Sequence, residues 1–278
     1  MTATPEPIAG DAAGVPFVAL PPAGGERPSA PLVVAWHLLD APRTGAAFAA
    51  AVPMRDLDAW RVFLGLPLTG SRLPADGWDG LMQLAFEDAV LKLYEPVMVG
   101  AAEEFARALP RLRERFGIDA GPIGVMGGSA GAAVAQLVVA EGDAEVAAAV
   151  LVSPVVQLRR AIEAGARAFG FSYPWSEESE AVARRVDFVA RAAELARRGP
   201  AVLVVAGAED EPEFREPARE LAAALGDRAE LATIPGMGHA LAEEPGTDPA
   251  PQTAHAAAVD RLATAWFAQH LGGRSAAS

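Results

Sequence analysis

Apolar residues recur along this chain in two rhythms, short solid runs and longer stretches with a helical period. The runs Leu32 to Trp36, Trp60 to Leu66, Ile123 to Met126, Ala147 to Val152, Ala201 to Ala206 and Ala229 to Ile234 have strand length. Thr44 to Ala51, Ala101 to Phe116, Ala130 to Ala140, Pro217 to Leu225 and Ala254 to His270 predict helices. In the last of these, Ala258, Leu262, Ala265 and Trp266 fall on one face. About 45 residues separate the run ending near Pro154 from the one beginning at Ala201, more than one connecting helix requires. That segment carries two helical patterns, Ala161 to Phe169 and Ser179 to Arg198, around the aromatic cluster Phe169, Phe171, Tyr173 and Trp175. Aromatics make up only 6% of the chain, so their clustering predicts a lid with Phe171, Tyr173 and Trp175 lining a pocket. Packing of a small helical subdomain onto the body is the other reading.

One junction between the two rhythms carries chemistry. Gly127-Gly128-Ser129-Ala130-Gly131 lies between the run Pro122 to Met126 and the Ala-rich stretch Ala130 to Ala140. It reads as a strand, a sharp turn holding a serine, and a helix. Small neighbours let such a turn take strained dihedrals, and the helix N-terminus aims free N–H groups at the reacting centre, an arrangement suited to acyl transfer. A glycine-rich turn that merely packs closely or binds an anion is the alternative.

The serine needs a base, and the chain has four histidines, His37, His239, His255 and His270. His255 and His270 lie in the closing amphipathic helix, where a histidine is usually packed or solvated. His37 follows the run Leu32 to Trp36 and precedes Ser129; it is expected to shape a loop. His239 sits in the glycine-rich loop after Glu230 to Ile234, where it can project from a strand end. Upstream, the run Ala201 to Ala206 ends in Gly207-Ala208-Glu209-Asp210, placing a carboxylate just beyond a buried strand. Asp210 is the expected acid and Glu209 its runner-up, with a solvated acidic loop as the alternative.

Ser129, Asp210 and His239, in that order and at those strand ends, resemble the triad of the α/β-hydrolase superfamily. The likeness runs from about Pro31 to Leu271 and includes a counterpart of the family's Leu-Pro-containing loop in Leu66-Pro67-Leu68-Thr69-Gly70-Ser71-Arg72. It implies an α/β fold with a mostly parallel central sheet flanked by helices and a small helical cap. The implied layout is a flexible tail at residues 1–14, one domain at 15–278 and a cap insertion at about 155–199. Residues 272–278 also read as a flexible tail. The resemblance further implies an oxyanion hole made by the N–H of Ala130 and that of Leu39, with Leu38 as the alternative donor. One departure stands out: where the family usually has His-Gly, this chain reads His37-Leu38-Leu39-Asp40. Leucine leaves less room for substrate near this backbone, and its side chain could narrow the acyl pocket. Asp40 and Arg43 adjoin the loop and can either meet a polar group of the substrate or form the turn at Asp40-Ala41-Pro42. Arg43 is carried forward as a substrate contact.

Composition narrows the function classes. The chain has 278 residues, 51% of them hydrophobic, enough for a large core, and no apolar run of membrane-spanning length. A net charge of −13 argues against nucleic acid and gives no attraction to anionic membranes. Zero cysteines exclude disulfides and thiol catalysis. The N-terminus lacks a secretory pattern, so the cytoplasm is the default compartment. No metal or dinucleotide motif is present, and a serine mechanism needs no cofactor. The expected activity is hydrolysis of a carboxylic ester, thioester or amide of a small acyl substrate, with carboxylesterase first. Acyltransferases, thioesterases, perhydrolases and peptidases share the implied triad and stay open, as does a non-catalytic ligand binder.

Overall fold

The computed structural model describes residues 6–272. Among them, eight strands form one sheet in the order β1-β2-β4-β3-β5-β6-β7-β8. They are β1 (Ile8–Ala12), β2 (Val15–Leu20), β3 (Leu32–Trp36), β4 (Trp60–Leu64), β5 (Ile123–Gly128), β6 (Val146–Val152), β7 (Ala201–Gly207) and β8 (Ala229–Ile234). From β4 to β8 every neighbouring pair is parallel, and only β1 and β2 run against their neighbours.

Burial on both faces explains why the strands read as solid runs rather than alternating ones. In β3, Leu32, Val34 and Trp36 join one core cluster, while Val33 and Ala35 join the cluster on the other face. The first cluster lies under α3 (Ala101–Phe116), α4 (Ala130–Glu141) and α8 (Pro212–Leu225). The second lies under α1 (Gly45–Ala51) and α9 (Ala254–Leu271). The sheet is therefore covered on both faces, and β3 and β5 sit side by side where the strand order reverses direction. In such sheets the crevice beyond the carboxyl ends of the strands at the reversal is the natural ligand site. Register brings the ends into line: Trp36 opposes Gly127, Gly128 opposes Val152, Val152 opposes Val205 and Gly207 opposes Ile234.

Several expectations need correction. Part of the supposed tail at 1–14 is strand β1, paired with β2 over Ile8 to Ala12. Its intermediate-exposed alternation and the internal Gly10-Asp11 disguise it, although Gly10 leaves the space that the Phe17 ring fills. Helix α2 (Gly77–Asp88) and the wide π-helix Ala89–Gly100 were not expected; Pro96 inside the latter obscures the pattern. Helix α8 begins at Pro212 rather than Pro217, with Pro212 in its first turn, where a missing N–H costs nothing. The 155–199 segment folds as α5 (Leu158–Ala168), α6 (Glu177–Arg185) and α7 (Ala192–Arg198), with α7 against α4 and α8. Residues 1–5 and 273–278, which belong to the expected tails, lie outside the described residues. No helix among the described residues is long and apolar enough to cross a membrane.

Candidate active site

Ser129 links β5 to α4 with φ 49° and ψ −115°, a conformation that costs a non-glycine residue about 1–3 kcal/mol. The turn is held from both sides. Its N–H donates to Val152 O at the end of β6, and its carbonyl accepts from Ala132, Ala133 and Val155 N–H. Gly131 is required by close approach: a Cβ there would stand 2.3 Å from Trp36 O and 2.4 Å from His37 O. A Cβ at Gly127 would stand 2.1 Å from Gly131 O. These contacts press α4 against the end of β3 and leave Ala130, first in α4, with an N–H that has no helical acceptor.

The three residues expected to form a triad are brought together. His239 Nε2 is 2.8 Å from Ser129 Oγ, and His239 Nδ1 is 2.9 Å from Asp210 Oδ1. Glu209 is exposed, and the carboxylate bonded to the imidazole is that of Asp210. The loop bearing His239 closes on β7 because Gly207 has no side chain; a Cβ there would stand 2.2 Å from Met237 O. Asp210 also accepts the Glu211 N–H at 2.8 Å, just ahead of α8. Burial pushes the Asp210 carboxyl up, but the hydrogen bond and charge of His239, with help from Glu211 and the Ser153 hydroxyl, hold it below the usual range.

Burial likewise disfavours a charged His239, yet the hydrogen bond and charge of Asp210 and the charges of Asp40 and Glu211 outweigh it, so its pKa lies above 6.5. The ring otherwise meets Ser129 and Phe214, whose ring centroid is 4.2 Å away. A base must be neutral to take the serine proton, so activity is lost as pH falls through this raised pKa. The acid limb of kcat/KM is expected to be half-maximal above pH 6.5. A flat profile from about pH 5 to 9 would remove His239 as the base.

The loop after β3 is built around His37, which is fully buried. Its Nε2 accepts the Leu66 N–H at 3.2 Å, which leaves Nδ1 as the donor to Leu38 O at 2.6 Å. Thr69 completes the nest from the Leu66 to Arg72 loop. Burial, aided by the Arg72 charge, pushes the His37 pKa down to about 4 against the Leu38 carbonyl, so the ring stays neutral. In a trans peptide the carbonyl and the next N–H point opposite ways, so directing Leu38 O at His37 turns the Leu39 N–H away from it. The leucine departure is absorbed from below: Leu38 is fully buried and its side chain occupies the space over Gly128, where a Cβ would stand 2.2 Å from it. Leu38 therefore fills core rather than narrowing an acyl pocket.

Arg43 and the aromatic cluster, expected to meet substrate, are placed otherwise. Arg43 donates to both carboxylate oxygens of Glu244 at 2.7 and 2.8 Å, to Pro245 O and to Leu39 O, and its guanidinium lies 4.5 Å from the Trp78 ring. It clamps the β3 loop to the loop following His239. In the aromatic cluster, Tyr173 donates to Asp88 and meets Trp175 edge-on at 4.7 Å, and Arg159 covers Trp175 at 4.1 Å. Phe171 is half-exposed. These rings join the 155–199 segment to the end of α2; among the described residues no ring contact or hydrogen bond ties them to the triad. The aromatic neighbour sequence reading missed is Phe214, whose only signal is its place one helical turn beyond Asp210.

Asp210, Glu211 and His239 bring possible metal-ligating atoms within 4.8 Å of one another. Both imidazole nitrogens already have hydrogen-bond partners, which suits proton transfer better than ligation. Two surface clefts of about 730 and 780 Å³ lie away from Ser129, the first between α3 and α4 and the second at the opposite end of β3 and β5.

Residues 85–274 match the prolyl oligopeptidase family. Comparison with curated proteins found no match. Among solved structures, TT1662 from Thermus thermophilus shares 18% identity, with a TM-score of 0.66 over 97% of this chain and 99% of its own. MGS-MChE2, an α/β hydrolase from a lagoon-sediment metagenome (Mar Chica, Morocco), shares 16% identity, with a TM-score of 0.55 over 94% of this chain and 98% of its own. A puromycin-hydrolyzing peptidase of Mycobacterium tuberculosis shares 19% identity, with a TM-score of 0.61 over 97% of this chain. The chain spans 40% of that peptidase's length. The fold is that of the α/β hydrolases.

Proposed function

The chain belongs to the prolyl oligopeptidase family and is a serine hydrolase, and we propose that the bond it cleaves is the amide of a small peptide or aminoacyl compound. The carrying observation is the hydrogen-bonded line Ser129 Oγ, His239 Nε2, His239 Nδ1, Asp210 Oδ1, at 2.8 and 2.9 Å. Ser129 Oγ attacks the carbonyl carbon while its proton passes to Nε2, and Asp210 holds the imidazolium. The tetrahedral oxyanion is received by the N–H groups of Ala130 and Leu39, whose dipoles stabilise the negative charge as it develops. The imidazolium then protonates the leaving nitrogen, the C–N bond breaks, and water repeats the sequence on the acyl-enzyme.

Amide cleavage depends more on that proton return than ester cleavage does, because an unprotonated amine is a poor leaving group. The raised pKa of His239 favours the first transfer, from Ser129, and makes the imidazolium a weaker donor, so it supports serine activation without choosing between amide and ester. Puromycin hydrolysis by the mycobacterial peptidase supports the amide reading, as does the family. The test is turnover of short peptidyl p-nitroanilides beside p-nitrophenyl esters of matching acyl groups. Cleavage of both, blocked together by a fluorophosphonate, is the expected result. Cleavage of the esters alone would overturn the amide reading and return the enzyme to the carboxylesterases.

A further inference from the structure

Asp40 stands at the mouth of this site with no Lys or Arg partner among the described residues; its one ion-pair contact is the His239 imidazole, a charge only when protonated. Its Oδ2 is 3.7 Å from His239 Nε2, the same nitrogen that faces Ser129 Oγ at 2.8 Å. The two distances meet at one atom, so the carboxylate and the nucleophile are within the span of a single aminoacyl unit. Among the described residues no N–H, hydroxyl or guanidinium donates to Asp40. It accepts no backbone N–H either, so its carboxylate does not serve the turn at Asp40-Ala41-Pro42. Arg43, three residues on, is occupied by Glu244, Pro245 O, Leu39 O and Trp78. Arg215, on α8 beside Asp210, donates to Ala208 O.

The charge count around the nucleophile is one-sided. Asp40, Asp210 and Glu211 all act on His239, which in the resting enzyme must be neutral to work as a base. Asp210 is buried and bound to the imidazole, whereas the Asp40 side chain keeps half of its surface, 51%, open to whatever enters. An unpaired carboxylate in that place attracts a cation and repels an anion.

We infer that Asp40 is a specificity-determining residue that binds a protonated amine carried next to the scissile carbonyl, so that the favoured substrates are aminoacyl amides and esters with a free amino group. This rests on Ser129 as the nucleophile, as read above. An α-amino group has an ordinary pKa of about 7.7–8.0 and is protonated near neutral pH, where the charge-assisted bond to Asp40 forms. N-acylation removes both the charge and the donor geometry, and a succinyl group replaces the cation with an anion.

The experiment compares alanyl, N-acetylalanyl and N-succinylalanyl p-nitroanilides at about pH 7 in the wild type and Asp40→Asn. The wild type is expected to favour the free amine over the acetyl compound by about tenfold in kcat/KM, with the succinyl compound poorest. In Asp40→Asn the three values should converge, chiefly through KM, and Asp40→Lys should reverse the order. Because Asp40 also acts on His239, its loss changes turnover of all three compounds alike. The ratio between them is free of that common factor. An unchanged ratio in Asp40→Asn overturns the inference and leaves Asp40 acting through the imidazole alone. If amides are not cleaved, the amide reading fails by itself, and the methyl esters of the same three acyl groups give the ratio. If neither series turns over, binding of alaninamide against N-acetylalaninamide, followed at the His239 imidazole by NMR, gives it instead; equal affinities would overturn the inference.

Discussion

Replacing Ser129 with alanine is expected to lower kcat by a factor on the order of 10⁶ while leaving the fold intact, the size of loss seen when a triad nucleophile is removed. The side chain is almost fully buried, but its hydroxyl has one partner, His239 Nε2, and supports no packing. Truncation leaves that nitrogen facing solvent space at the mouth of the site, a cost of about 1 kcal/mol. The backbone bonds that hold the turn involve only the Ser129 N–H and carbonyl, which alanine keeps. A glycine at the same position would relieve φ 49° and is expected to be more stable than the alanine variant by about 1 kcal/mol, as read from chemical denaturation. Both variants should also lose fluorophosphonate labelling. Wild-type turnover in Ser129→Ala would remove this residue as the nucleophile.

Asp210→Asn comes next in expected effect, a fall in kcat on the order of 10⁴, as in a serine protease whose triad aspartate is made neutral. Two losses combine. The negative charge that holds the imidazolium disappears, and an amide NH₂ facing Nδ1 would force the proton onto Nε2, where it blocks acceptance of the serine proton. The Glu211 N–H shares Oδ1 with the imidazole, so the same amide orientation also costs that bond, about 1 kcal/mol, and the local fold should survive. Because Asp210 raises the His239 pKa, its neutralisation also moves the acid limb of any residual activity to lower pH. Glu209→Gln is the control: the side chain is exposed, and turnover should change little. Equal damage from Glu209→Gln would mean that the neighbouring carboxylate, not Asp210 alone, supports the base.

The strand-turn-helix around Ser129 is legible without coordinates because local chemistry dictates it. Only small residues tolerate the approach of α4 to β3, and Gly127, Gly128 and Gly131 advertise that crowding in a row of five. Parallel strands buried on both faces print as solid apolar runs, so β3 to β8 are visible with ends displaced by a few residues at most. The order of serine, acid and base follows from the strands they cap. Edge elements are fainter. β1 is half-exposed and contains glycine, and the helices from Gly77 to Gly100 include Trp78, Met82 and Phe86 on their exposed side, which blurs any helical stripe.

The chain alone thus determines strands buried on both faces, an elbow serine, and an acid and a histidine on later strand ends, since each depends on residues adjacent in sequence. Contacts over long sequence separations decide the rest. Arg43 looks like a free cation beside the site until Glu244 and Pro245, some two hundred positions away, close on it. Leu38 looks obstructive until Gly128 is seen to make room for it. The choice between Glu209 and Asp210 turns on which way one strand end twists toward the His239 loop. Asp40 acquires its meaning only when β8 brings an imidazole to within 3.7 Å of it. Hydrophobic periodicity reports the burial of each element against the sheet, but the pairing of charges depends on which loops the sheet brings together, and no local pattern encodes that.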